Sequence, residues 1–150
     1  QVQSFFNGGP EGVAHTDISD PFCPRITGQI PHVAKERGIA LHTGGTYVCM
    51  SGPTFETKAE IRLLMALGMD YVGMTLAPEC KLAREKGMCY VPLLMPVNYG
   101  AGLGDEIISH DNTVRMVETM KRDFVSLLEG LLPVLEERGD CMCSRAVSFL

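Results

Sequence analysis

No run of apolar residues in this 150-residue chain reaches the roughly 18 that a membrane-crossing helix needs. No signal peptide is visible either, so a soluble cytoplasmic protein is expected, with no membrane partner. Basic charge is scarce: 13 Lys and Arg against 18 Asp and Glu leave a net charge of −5 and a pI near 5.3. A nucleic-acid-binding module normally carries a basic face, so nucleic acid is not expected as a partner. No internal repeat or linker divides the chain, whose length suits one domain with a real core. The glycine-rich stretch from Asn98 to Asp105 is not followed by Gly-Lys-Ser/Thr, so it is no Walker loop. Also missing are a Ser-His-Asp set, a paired-carboxylate set and a metal-ligand spacing.

What is present is a globular composition, with 45% hydrophobic and 21% charged residues. Six cysteines stand at 23, 49, 80, 89, 141 and 143. The first four lie singly in apolar or helical patterns and read as small buried hydrophobes. Cys141 and Cys143 form a Cys-x-Cys pair, read either as two thiols on a frayed tail or as a redox pair. No second Cys or His pair at a matching spacing completes a zinc site. The start, Gln1-Val2-Gln3-Ser4-Phe5-Phe6, has no initiator Met and a mid-domain character, so a fragment is expected.

Strand and helix patterns alternate. Residues 7–12 are turn punctuation, and 13–18 form a short extended segment carrying His15. Residues 24–37 predict a helix with Ile26, Ile30, Val33 and Ala34 on one face, kinked or split by Pro31 and stopped at Gly38. Strands are predicted over 39–42, 46–50 and 70–75. A helix is predicted over 58–67, with Ile61, Leu64 and Met65 inward. Another has Pro78 at its first position and Leu82 and Ala83 inward. The near-continuous apolar run 88–95 predicts a strand covered on both faces, disturbed by Pro92. A long helix from about Asp111 carries Val114, Val117, Phe124, Leu128, Leu131 and Leu135 at helical spacing. Such alternation indicates an α/β fold with a parallel or mixed sheet.

The most informative stretch runs from Gly45 to Glu60. A β-branched and aromatic strand ends at Gly52-Pro53, and Thr57 and Glu60 have capping-box spacing for the next helix. Between them sit Phe55 and Glu56, at the carboxyl end of a strand, where open α/β sheets bind ligands. Two readings stand side by side: a plain corner with a core Phe and a solvated Glu, or an aromatic plate and acceptor for a flat heterocycle. The strand ends at 50–56, at Met74-Thr75 and at Val97-Asn98 would share one rim. Thr75 beside a helix start is a candidate anion contact.

Several motifs together resemble the trimeric purine nucleoside phosphorylases. They are Gly52-Pro53-Thr54-Phe55-Glu56-Thr57-Lys58-Ala59-Glu60, Val72-Gly73-Met74-Thr75 with Pro78-Glu79, and Asn98. Val13-Ala14-His15 with Asp20-Pro21-Phe22-Cys23-Pro24 looks more like the methylthioadenosine and methylthioinosine phosphorylase branch. The resemblance spans essentially the whole chain. It implies a phosphorylase-type three-layer α/β fold with a mixed central sheet. It implies a homotrimer, no cofactor, and inorganic phosphate as co-substrate attacking C1′ of a purine nucleoside.

Carried over residue by residue, the resemblance has Phe55 pack on the base, Val72 line its pocket, and Glu56 accept from N1–H. Met74 touches the ribose, Thr75 contacts phosphate, and Asn98 stabilises charge on the departing purine through N7 and O6. His15 matches a residue that reaches the neighbouring subunit's site, although a structural role stays open. His110 stands near the position meeting the nucleoside 5′ end, or is a plain helix-entry residue. Asn98 with Glu56 fits 6-oxopurines, where the adenosine-type branch has an aspartate and a small hydroxyl residue. Methylthioadenosine is the alternative substrate. The family's glycine-rich phosphate loop, Arg-His phosphate pair and a further base-pocket segment are not among these residues. The chain therefore corresponds to the C-terminal part of a single domain, and a non-catalytic fragment is a further alternative. The Cys141-Met142-Cys143 tail resembles a redox-active Cys-x-Cys motif of some members.

Overall fold

The computed structural model describes residues 4–105, 108–136 and 140–150. Among the described residues, five short strands and four α-helices follow one another. They are β1 (Asn7–Gly9), β2 (Gly12–Thr16), α1 (Pro24–Glu36), β3 (Tyr47–Cys49), α2 (Lys58–Ala66), β4 (Tyr71–Gly73), α3 (Leu76–Glu85), α4 (His110–Glu136) and, after a 3-10 turn at Met142–Arg145, β5 (Val147–Phe149). The class is α/β. Parallel and antiparallel pairings both occur, in two sheets: β3 pairs with β4 in parallel, and β1-β2-β5 form an antiparallel sheet. In the parallel pair Tyr47, Val48 and Cys49 face Tyr71, Val72 and Gly73. The turn punctuation at 7–12 is thus a small hairpin, and the tail, read as frayed, adds a strand to it.

The core lies between α1 and α4. Ile26, Ile30, Val33 and Ala34 recur at helical spacing on α1 and are buried against Leu127 and Leu131 of α4, with Cys23 and Cys143 at one end. Arg25 Nη1 donates to the Val134 carbonyl at 2.8 Å, and Arg37 Nη1 donates to Ser126 Oγ at 3.2 Å. The two helices therefore run antiparallel. Pro31 does not split α1, which is one helix from Pro24 to Glu36. Apolar residues before and after Pro31 pack on the same neighbour, and that burial outweighs one lost backbone bond.

Other boundaries differ from the sequence pattern. α3 begins at Leu76, not Pro78, with Thr75 as N-cap. Proline is harmless there because first-turn N–H groups have no partner within the helix. Its buried face is Leu76, Cys80 and Arg84, while Leu82 and Ala83 are half-buried. On α2 only Ile61 is buried and Met65 is exposed. On α4 the predicted stripe holds in part: Leu131 is buried and Val117 and Phe124 are half-buried, whereas Val114, Leu128 and Leu135 are exposed and Leu127, outside the stripe, is buried.

Neither 39–42 nor 88–97 forms a strand. Parts of both line an open, largely apolar cavity of about 1020 Å³ that also touches α1, α3, α4, β3 and β4. An extended segment becomes a strand only through a ladder partner, and Pro92 and Pro96 each remove a donor. Val91 and Leu93 instead pack against the α1–α4 core.

α2 is capped as its sequence dictates. Thr57 and Glu60 form a full capping box, Glu60 N–H donating to Thr57 Oγ1 at 3.2 Å and Thr57 N–H to Glu60 Oε2 at 2.7 Å. Thr57→Ala should cost about 0.5–2 kcal/mol. The Thr57 N–H, then its hydroxyl, holds the Glu60 carboxyl below its ordinary value of 4.5. A lowered folded-state pKa stabilises above the unfolded value, so this contribution is complete above 4.5 and fades as the pH falls. Chemical denaturation of Thr57→Ala and the parent at neutral and acid pH checks both. The gap between them should narrow in acid.

Candidate active site

Parallel pairing of β3 and β4 aligns their carboxyl ends, and Met50 N–H extends the contact by donating to the Gly73 carbonyl at 2.8 Å. The chain leaving β3 turns at Gly52, whose φ is +58, through a cis Gly52–Pro53 peptide. The Met74 side chain lies directly over Gly52: a Cβ at that position would come within 2.6 Å of its Sδ. The first two strand ends are therefore in contact. The third segment reaches them through α2. A Cβ at Gly100 would sit 3.0 Å from Ile61 Cδ1, and one at Gly102 3.0 Å from Lys58 Cγ. The loop after Asn98 thus lies on the first turns of the helix that Glu56 leads into.

Phe55 is 57% exposed and Met74 44%, and Val72 is also exposed. These apolar faces are uncovered beside the half-buried Glu56. Asn98 is exposed, and its Nδ2 donates to the adjacent Tyr99 carbonyl at 2.9 Å. Thr75 is exposed at the N-cap of α3, and its side chain makes no capping hydrogen bond. His15 stands apart on β2, opposite Ser148 of β5. His110 opens α4, where Asn112 N–H donates to Ser109 Oγ at 3.3 Å. Residues 106–107, in the loop before His110, lie outside the described residues. None of these candidate residues lines the large apolar cavity, which reaches the rim at Tyr47 and Leu76.

Tyr47 belongs with the site, although the sequence marked it only as a strand residue. Its phenol lies against Gly73, with a Cβ there 2.9 Å from Tyr47 Cζ. Burial raises its pKa above the ordinary value, opposed by the nearby backbone N–H groups of Thr75 and Leu76. The phenol thus stands beside the start of α3, where Thr75 is the N-cap.

Gly52→Ala should be expensive for this corner. A side chain at left-handed φ costs about 1–2 kcal/mol, and the added methyl must displace Met74. Lower thermal stability is expected, read by thermal unfolding of the variant beside the parent.

Carboxyl ends of parallel strands bearing an aromatic plate, an acceptor and a helix start define an α/β ligand-binding rim. Residues 1–133 match the family model described as the phosphorylase superfamily, and the chain belongs to that superfamily. It is 40% identical over 135 residues to 6-oxopurine nucleoside phosphorylase of Pyrococcus furiosus, covering 90% of this chain and 51% of that protein. It is 37% identical over 147 residues to S-methyl-5′-thioadenosine phosphorylase of Thermofilum pendens, covering 98% of this chain and 55% of the relative. Among solved structures it is similar to methylthioadenosine phosphorylase from an antarctic soil metagenomic library. The TM-score is 0.85 at 27% identity, over 99% of this chain and 53% of that one. The chain spans about half the length of the curated relatives it matches.

Proposed function

We propose that the protein is a purine nucleoside phosphorylase acting in purine salvage, and that these 150 residues are part of a single phosphorylase domain. It cleaves the N-glycosidic bond of 6-oxopurine nucleosides: inosine, guanosine or 5′-methylthioinosine. Phosphate oxygen attacks C1′, the C1′–N9 bond breaks, and the bonding pair leaves with the purine. Free base and ribose-1-phosphate, or its 5-methylthio analogue, result. Catalysis lies in positioning phosphate and stabilising the charge on the departing base. Phe55 stacks on the base, Val72 lines its pocket, Glu56 accepts from N1–H, and Asn98 donates to N7. Met74 covers the ribose and Thr75 contacts phosphate. His15, on a sheet away from the rim, serves a neighbouring subunit of a homotrimer, and His110 meets the 5′ end. No cofactor takes part.

The observation that carries this reading is the convergence of the Glu56 and Asn98 segments on the start of α2. A 6-oxopurine offers N1–H to a carboxylate and presents acceptors at O6 and N7 to an amide. A 6-aminopurine has no N1–H and would leave Glu56 unmatched, which costs binding strongly in a desolvated site. Methylthioadenosine is the second reading, favoured by the names of some relatives. Assaying the full-length gene product with inosine, methylthioinosine and methylthioadenosine, each with phosphate, separates the two. A 6-oxopurine nucleoside should give the highest kcat/KM. Methylthioadenosine as the best substrate would remove the role given to Asn98.

A further inference from the structure

Four cysteine sulfurs from three separate segments meet at the amino end of α1. Cys23 is the N-cap of that helix, Cys89 follows α3, Cys141 is the N-cap of the 3-10 turn and Cys143 lies within it. Two of these, Cys23 and Cys89, were read from the sequence as isolated buried hydrophobes. Cys89 is in fact exposed, and Cys49, also in that group, is only half-buried. All four Sγ atoms lie within 4.8 Å of one another, and Cys89 Sγ stands 3.5 Å from Cys141 Sγ. A tetrahedral centre with zinc–sulfur bonds of about 2.3 Å has sulfur–sulfur edges of about 3.8 Å. A disulfide needs about 2.05 Å, and all six cysteines are free thiols.

The surrounding backbone holds this spacing. Cys23 N–H donates to the Tyr90 carbonyl at 2.9 Å, which fixes the Cys89 segment beside the start of α1. Gly87 lets the 3-10 turn approach, since a Cβ there would lie 3.2 Å from Ser144 Cα. Asp17 N–H donates to the Ala146 carbonyl at 2.8 Å, and β5 pairs with β2, so the turn is held on its far side too. Cys23 and Cys143 are buried while Cys89 is exposed, giving a closed floor and an open mouth. The donor set is all sulfur, which suits zinc and disfavours magnesium, calcium and manganese.

We propose that Cys23, Cys89, Cys141 and Cys143 form a structural tetrathiolate zinc site that ties the C-terminal turn to the start of α1. Binding exchanges four S–H bonds for four Zn–S bonds and releases four protons to solvent. No electron moves. The site lies apart from the proposed nucleoside rim and does not depend on it.

The test uses the full-length protein, reduced under anaerobic conditions and titrated with zinc and, separately, with cobalt(II). One zinc per chain is expected. The cobalt form should show a thiolate-to-metal charge-transfer band and the strong visible bands of tetrahedral cobalt. Cys89→Ser, at the exposed position, should weaken zinc retention against a chelator by more than the roughly 10- to 100-fold that outer-shell changes cost. Cys49→Ser, outside the cluster, should keep its metal. Cobalt spectroscopy on the unsubstituted protein decides the matter even where a serine variant folds poorly. Reduced protein that gives no cobalt–thiolate band, or Cys89→Ser that holds zinc as tightly as the parent, overturns the proposal.

Discussion

Asn98→Ala in the full-length enzyme should lower kcat about 10²- to 10³-fold, the loss typical of one donor aimed at developing charge. KM for inosine should move far less, because the interaction strengthens only as the glycosidic pair flows into the purine. Asn98 Nδ2 donates at 2.9 Å to the Tyr99 carbonyl, so the amide is held by its own loop before substrate arrives. In the proposed role, turning from that carbonyl to N7 would exchange one hydrogen bond for another, and the exchange would favour the purine as negative charge grows there. Asn98→Asp makes the complementary change: a carboxylate cannot donate to N7 unless protonated. It should lose 6-oxopurine turnover and gain, relative to it, on 6-aminopurine nucleosides. Steady-state kinetics with inosine and adenosine on both variants reads the two effects. A loss confined to KM would make Asn98 a binding residue only.

Leu131→Ala should destabilise the fold by about 2–5 kcal/mol, the range for a buried leucine whose site collapses incompletely. Leu131 is 3% exposed and packs in the cluster with Ile30, Val33 and Leu127 where α1 meets α4. Leu128→Ala, three positions back on the same helix, removes a side chain that is 40% exposed and should cost well under half as much. Urea unfolding of both variants, compared at equal m-values, makes the measurement. Equal losses would mean that α4 presents a different face to α1.

The contrast between these leucines shows what the sequence could and could not reveal. Periodicity locates an amphipathic helix well, but on a helix of 27 residues two adjacent stripes fit nearly the same apolar residues. Only the crossing with α1 decides between them. Local signals fared better. The Thr57–Glu60 box, the glycine stop at 38, and the strands at 47–49 and 71–73 depend on neighbours a few residues away. The apolar run 88–97 misled because a strand requires a partner that its own residues cannot supply. Tyr47 escaped notice because its contact with Gly73 crosses from one strand to the end of the next.

The candidate site was legible to the same degree. Its chemistry could be read from Phe55, Glu56 and Asn98 only through resemblance to a family, since spacing alone favoured a plain corner. What the structure adds is contact between segments: Met74 over Gly52, and the 98–104 loop on α2. The cysteine cluster was beyond any spacing rule, because its members are separated by up to 120 residues and no two of its three segments adjoin.

Phosphate dependence of base release is the most direct measure of the central claim. The full-length protein, given inosine with and without inorganic phosphate, should release hypoxanthine only when phosphate is present, with ribose-1-phosphate formed in equal amount. Release at the same rate without phosphate, with free ribose as the second product, would contradict it.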